Sequence, residues 1–170
     1  MTPSSSLLAL LLSSTLADPA LGVPSSPTIR DDGTVAVTVT TSAELSKVEA
    51  LLSDPAARLR LVPNVTQVDV LGRTNGCVDL RVTTDGMGST YVYDTRSCRT
   101  SDGWRETMIR SEDLDDVTTT WVLHRVASGV EILYESRVVT GLPVPESLVA
   151  RMHASAMVKT LERVVAIVGR

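Results

Sequence analysis

The sequence contains no phenylalanine, and aromatic residues of any kind make up 3% of it. Recognition of bases or sugars by stacking needs clustered aromatic faces, so that class of function is set aside. Any core or pocket must be filled by Val, Leu, Ile, Met and Ala, with Tyr91, Tyr93, Tyr134, Trp104 and Trp121 as the only rings. Histidine and cysteine occur twice each. His124 and His153 fall on separate elements, which leaves no zinc-ligand spacing. No run of Lys and Arg offers a positive face to phosphates, and the formal net charge is −4, so nucleic acid is excluded as a partner. No GxSxG, P-loop or dinucleotide glycine motif occurs, and no cofactor is expected. The acidic turn Glu112, Asp113, Asp115, Asp116 lacks the glycine and ligand spacing of a calcium loop.

The apolar run Leu7–Leu12 is far too short to cross a bilayer, so no transmembrane span is expected. It reads instead as the core of a signal peptide over residues 1–17, with Thr15 and Ala17 as small residues before a cut ahead of Asp18. No Lys or Arg precedes Arg30, so the usual positive start of such a peptide is missing. Residues 18–32, rich in Pro, Ser, Gly and Asp, read as a linker. The folded domain is then expected over 33–170, from a chain placed in the periplasm or outside the cell.

At 170 residues, 43% of them hydrophobic, the chain can bury a full core. Gly33 to Thr40 alternates Val35, Val37 and Val39 with smaller residues, which is strand periodicity. Thr41 and Glu44 have capping-box spacing and predict a short helix to about Ser53. Asp54-Pro55 predicts a second helix start, with Asp as cap and Pro in the first turn. From Val65 to Thr140 six strand patterns follow, separated by Asn75-Gly76, Met87-Gly88, Asp102-Gly103 and Ser128-Gly129. Such short connections imply an antiparallel meander.

One hairpin can be tested by register. With Met87-Gly88 as its turn, Val82 faces Tyr93 and Thr84 faces Tyr91. Cys77 then faces Cys98, Asp79 faces Arg96, and Arg81 faces Asp94. Two opposite-charge pairs and the only two cysteines fall into line together, which predicts a Cys77–Cys98 disulfide and supports export. The chain closes on a helix from about Pro145 to Val168, about 36 Å long. Ala150, Ala154, Met157, Leu161, Val164 and Val168 form its apolar stripe, with His153 at the edge. Glu106 and Arg110 share a strand parity with Trp104 and Met108; if that face looks inward, the two charges would need partners or a ligand.

The order of one strand, two short helices, a meander and a long helix resembles the START-like, helix-grip superfamily. Its polyketide cyclase/dehydrase and coenzyme Q-binding branches look closest. The likeness covers about residues 33 to 168 and is carried most by Leu51 to Leu71, with its Asp54-Pro55 start and the Pro63-x-Val65-x-x-Val68 opening of a strand. The family usually has aromatic residues near that proline, where Leu59, Leu61 and Val62 stand here. The resemblance implies an α+β fold in which a curved antiparallel sheet of about seven strands wraps the C-terminal helix around an apolar cavity. Tyr91, Tyr93, Trp121, Leu123, Tyr134, Met157, Leu161 and Val164 would line it, with His153 available to bind a ligand's polar end. The expected function is binding or carriage of a small hydrophobic ligand. The alternatives are a cyclase/dehydratase with His153 as acid/base and the tyrosines orienting substrate, or an interaction domain with a packed interior.

Overall fold

The computed structural model describes residues 21–86 and 88–169. The proposed signal peptide, the first residues of the expected linker and Met87 of the hairpin turn lie outside them. Eight strands form one antiparallel sheet: β1 (Thr28–Ile29), β2 (Val35–Thr41), β3 (Val65–Thr74), β4 (Cys77–Gly86), β5 (Ser89–Arg99), β6 (Gly103–Ser111), β7 (Leu114–Val126) and β8 (Gly129–Thr140). Their order is β1-β2-β8-β7-β6-β5-β4-β3. Two short helices, α1 (Leu45–Ser53) and α2 (Pro55–Arg60), link strands near opposite edges of the sheet, and α3 (Glu146–Val168) closes the chain. This is the α+β helix-grip arrangement, with α3 packed against β2 and β8.

The local signals explain most boundaries. The Asp54 side chain accepts a hydrogen bond from Ala56 N at 3.0 Å, with Pro55 in the first turn of α2. The helix before it starts otherwise than expected. Thr41 stays in β2, where its hydroxyl accepts from Ala43 N, and Glu44 occupies the cap of α1 without a side-chain bond. The sheet ladder on β8 holds Thr41 extended, opposite Val130, so no capping box forms. The segment expected as a linker also takes part in the sheet. Gly22 N and Ser25 N donate to Thr40 O and Thr38 O, and Thr28 and Ile29 pair with β2.

The β4–β5 register is the one derived from sequence: Cys77 opposes Cys98, Asp79 opposes Arg96, and Arg81 opposes Asp94. The cysteines are disulfide-bonded. Closing a loop of 21 residues' separation contributes about 3 kcal/mol in the chain-entropy picture. Arg96 donates to both carboxylate oxygens of Asp79 at 2.7 and 2.8 Å. Asp94 receives Arg81 on one side and Arg110 on the other, at 2.7 to 3.0 Å.

The side chain of Asp94 is 5% exposed, and hydrogen bonds from Arg81 first, and Arg110 after it, hold its carboxyl down to about 2. A carboxyl depressed below its unfolded value stabilises the native state above that value and loses the effect as pH falls through the native one. Acid unfolding followed between pH 4 and pH 2 should therefore lose about 2 kcal/mol through this group, reduced by solvent screening of the exposed arginines. An Asp94→Asn variant should be less stable at pH 7 and flatter over that window; a parallel acid profile would count against the assignment.

The core lies between α3 and the concave face of the sheet. Val35, Val37, Val39, Ile132 and Tyr134 meet Ala150, Ala154, Met157, Leu161 and Val164 there, joined by Trp104 and Trp121. Trp121 stacks on Tyr134 with ring centroids 4.0 Å apart. A second cluster sits under α2, where Ala56 and Leu59 pack on Val68, Val78, Leu80 and Val82. Register shifts in β3–β4, β5–β6 and β7–β8 mark bulges, and bulges bend strands and increase twist. The sheet therefore curves around the helix rather than lying flat beneath it.

Candidate ligand cavity

The bend leaves a gap at the N-terminal half of α3. It is a cavity of about 190 Å³, walled by Val149, Met152, His153 and Ala156 of α3 and by Tyr91, Tyr93, Tyr134 and Ser136 of the sheet. Leu59, Val62 and Val65 close it from the α2 side, and Leu114, Val117 and Val138 from below. Met152, Asn64 and Asp85 are exposed and mark its mouth. Three roomier hollows, of about 400, 440 and 270 Å³, are lined in part by charged side chains, arginines alone in the first and both signs in the other two. Arg99 in the first, and Arg81, Asp94 and Arg110 in the second, are paired with one another or with neighbours.

The lining that the resemblance implies divides in two. Tyr91, Tyr93, Tyr134 and His153 do line the cavity. Trp121, Met157, Leu161 and Val164 are instead in the close-packed core, 0–1% exposed, and Leu123 packs against it. The stripe is continuous along α3, but the gap is not. From Met157 onward, bulky side chains meet the valines of β2 and the stacked Trp121–Tyr134 pair. One turn earlier the helix presents Ala156, His153 and Val149 to a sheet that has curved away. Periodicity identifies the face and carries no information about where that face is filled.

A polar rung crosses the otherwise apolar concave face. Ser97, Glu106, Thr119 and Ser136 are neighbours on four successive strands and all are buried. The Thr119 and Ser136 hydroxyls are bonded to each other at 3.0 Å and belong to the cavity wall. Further along, Glu106 takes two hydrogen bonds from Arg58 at 3.1 and 2.6 Å. Arg58, 1% exposed, also donates to Ser97 Oγ and Leu52 O and lies over the Trp104 ring. Glu106 thus points inward, as its parity allowed. Arg110 does not: the β5–β6 register skips a residue between Met108 and Arg110, so Arg110 turns to the outer face and Asp94. The partner of Glu106 is an arginine 48 residues away in sequence, which strand parity alone had no means of naming. Thr119 and Ser136 were legible as polar residues on the inward parity of Trp121 and Tyr134.

Two buried polar atoms in the cavity wall have no hydrogen-bond partner among the described residues: the Tyr91 hydroxyl and His153 Nε2. Such atoms are uncommon because each carries its full desolvation cost. Burial pushes the His153 imidazole down to about 4, so it is neutral at physiological pH. Burial first, and then the charge of Glu106, push the phenols of Tyr93 and Tyr134 well above the usual tyrosine range. His124, by contrast, is exposed on β7.

A deep-bent sheet gripping a helix over an apolar cavity with unsatisfied polar atoms defines the class: a START-like, helix-grip fold. No family model matches the sequence, and no curated protein matches it. Among solved structures, a START superfamily protein from Mycobacterium smegmatis superposes with TM-score 0.69 at 16% identity, over 80% of this chain and 97% of that one. An aromatase/cyclase, Zhui, from Streptomyces sp. R1128 gives 0.67 at 16%, over 81% and 93%. A STAR-related lipid transfer protein from Xanthomonas axonopodis gives 0.63 at 17%, over 84% and 90%. At such identities the likeness is one of fold.

Proposed function

We propose that this protein binds and carries a small hydrophobic molecule in the cavity beneath the first turns of α3. The observation that carries this is the pair of orphaned polar atoms, Tyr91 Oη and His153 Nε2, in a mostly apolar wall. An apolar pocket with a few polar groups that fix orientation is the usual form of a small-molecule site. The volume exceeds the roughly 150 Å³ at which an apolar cavity takes up benzene, so a molecule of one or two rings, or a short alkyl chain, fits without rearrangement. Lipid transfer and aromatase/cyclase proteins among the structural neighbours are in keeping with such a ligand.

The enzyme reading draws on the same His153 and tyrosines. It is disfavoured because an imidazole held near 4 is a weak general base at neutral pH. Neutral Tyr and His side chains are suited to holding a ligand's polar end.

Native mass spectrometry of the protein purified from its own host, followed by organic extraction, tests the proposal. Wild type is expected to hold one apolar molecule. Ala156→Phe, which fills the cavity from the helix side, should bind the extracted compound at least about tenfold more weakly. An empty wild-type protein that also takes up no naphthalene from solution would refute the proposal.

The reading includes export. The Cys77–Cys98 bridge suits an oxidising compartment, and the Leu7–Leu12 run suits a cleaved leader. Intact mass of the host-purified protein reads both at once: a chain beginning at Asp18 and two hydrogens short of its reduced form is expected. A full-length reduced chain would exclude export.

A further inference from the structure

Among the described residues, the cavity wall contains no Lys or Arg, and Asp85 is its one charged residue. Asp85 is exposed at the mouth and accepts a hydrogen bond from the Thr90 hydroxyl. The buried cation behind the wall, Arg58, has its guanidinium committed: Nε and Nη2 to Glu106, Nη2 also to Ser97, and Nη1 to Leu52 O. It has little left to offer an incoming anion. Beyond the effect of burial, Glu106 disfavours the phenolates of Tyr93 and Tyr134, and Arg58 offsets part of this at Tyr134. An anion placed beside Tyr93 would meet the same repulsion from Glu106.

What the wall does offer is neutral. Tyr91 Oη can donate and accept, and His153 Nε2 can do either according to tautomer. Thr119 and Ser136 share one hydrogen bond between two hydroxyls, which leaves a further O–H able to turn into the cavity.

We propose that the ligand's polar end is an uncharged group that both donates and accepts hydrogen bonds, of hydroxyl or carboxamide type, and that the cavity rejects carboxylates of the same shape. This rests on the cavity being a binding site. An alcohol or phenol can both donate and accept, so it suits either of the orphaned atoms of Tyr91 and His153, which line the same cavity. A carboxylate there would be desolvated without a cation, and burying an unpaired charge is far more costly than burying a paired dipole. An ionised fatty acid or a phosphate headgroup is thereby excluded from the place beside these two side chains.

Four bicyclic probes separate charge from shape: naphthalene, 2-naphthol, 2-naphthamide and 2-naphthoate, titrated by calorimetry at pH 7 into the full chain. The naphthol and the amide should bind about tenfold or more tighter than naphthalene, as one or two hydrogen bonds to unsatisfied atoms provide. The naphthoate should bind about 100-fold more weakly than the amide. Tyr91→Phe and His153→Leu should each narrow the gap between naphthol and naphthalene. Naphthoate binding within about threefold of the amide would overturn the inference while leaving the cavity reading intact. Failure of all four probes, naphthalene included, would overturn the cavity reading and this inference with it.

Discussion

Replacing Glu106 by glutamine is expected to lower the free energy of unfolding by about 3–5 kcal/mol, the usual result of leaving one member of a buried ion pair alone. Arg58 would keep its charge at 1% exposure with its carboxylate gone. Ser97 and Leu52 O could still accept its hydrogen bonds, but neither balances the charge. The companion result distinguishes a structural pair from a merely present one. Arg58→Met combined with Glu106→Leu removes both charges and should recover most of the loss, because apolar replacement of a buried pair is often neutral or better. Arg110→Ala serves as the control. Its side chain is 70% exposed, and Asp94 keeps Arg81, so a change below about 1 kcal/mol is expected. Urea unfolding at pH 7 measures all four chains. Equal losses for Glu106→Gln and Arg110→Ala would show that the buried pair has no special weight.

Leu161→Ala should cost about 2–5 kcal/mol, the range for a fully buried leucine whose site cannot collapse. Leu161 is wholly buried between the sheet and α3. It does not line the cavity, so naphthalene affinity in the folded variant should change by less than about threefold. Ala156→Phe, one turn nearer the N-terminus of the helix, should behave in the opposite way, with binding lost and stability kept. The two substitutions therefore dissociate core from cavity along a single helix. If Leu161→Ala left stability intact while altering ligand uptake, the division between packed and open halves of α3 would be wrong.

Much of the architecture was legible because it depends on short-range signals. Alternating valines specify β2, Asp54-Pro55 specifies the start of α2, and glycine-containing pairs specify the turns of the meander. Register in the β4–β5 hairpin was readable because three cross-strand pairs had to agree at once, and a shift of one residue would have broken all of them. The stripe Ala150 to Val168 identified the buried face of α3. The capping box failed because β2 runs on through Thr41, and pairing with β8 outweighs a local cap.

The cavity was less legible. The lining came from the helix-grip resemblance, and the cavity touches its Tyr91, Tyr93, Tyr134 and His153. Met157, Leu161, Val164, Trp121 and Leu123 sit on the same inward faces, yet they pack against one another. A hydrophobic pattern states which side of an element avoids water; it is silent on how far the facing element stands away.

By itself, the sequence determined the order of the elements, the hairpin register with its disulfide, and the face of the helix that turns inward. Those follow from charge, from periodicity and from residues close along the chain. Only the tertiary structure decided that Arg58 pairs with Glu106, that Arg110 turns outward, and that the gap opens at His153 and Ala156 rather than at Leu161. The reason is the same in each case. Bulges skip a residue and bend the sheet, and the distance between a bent sheet and a straight helix depends on contacts among residues dozens of positions apart.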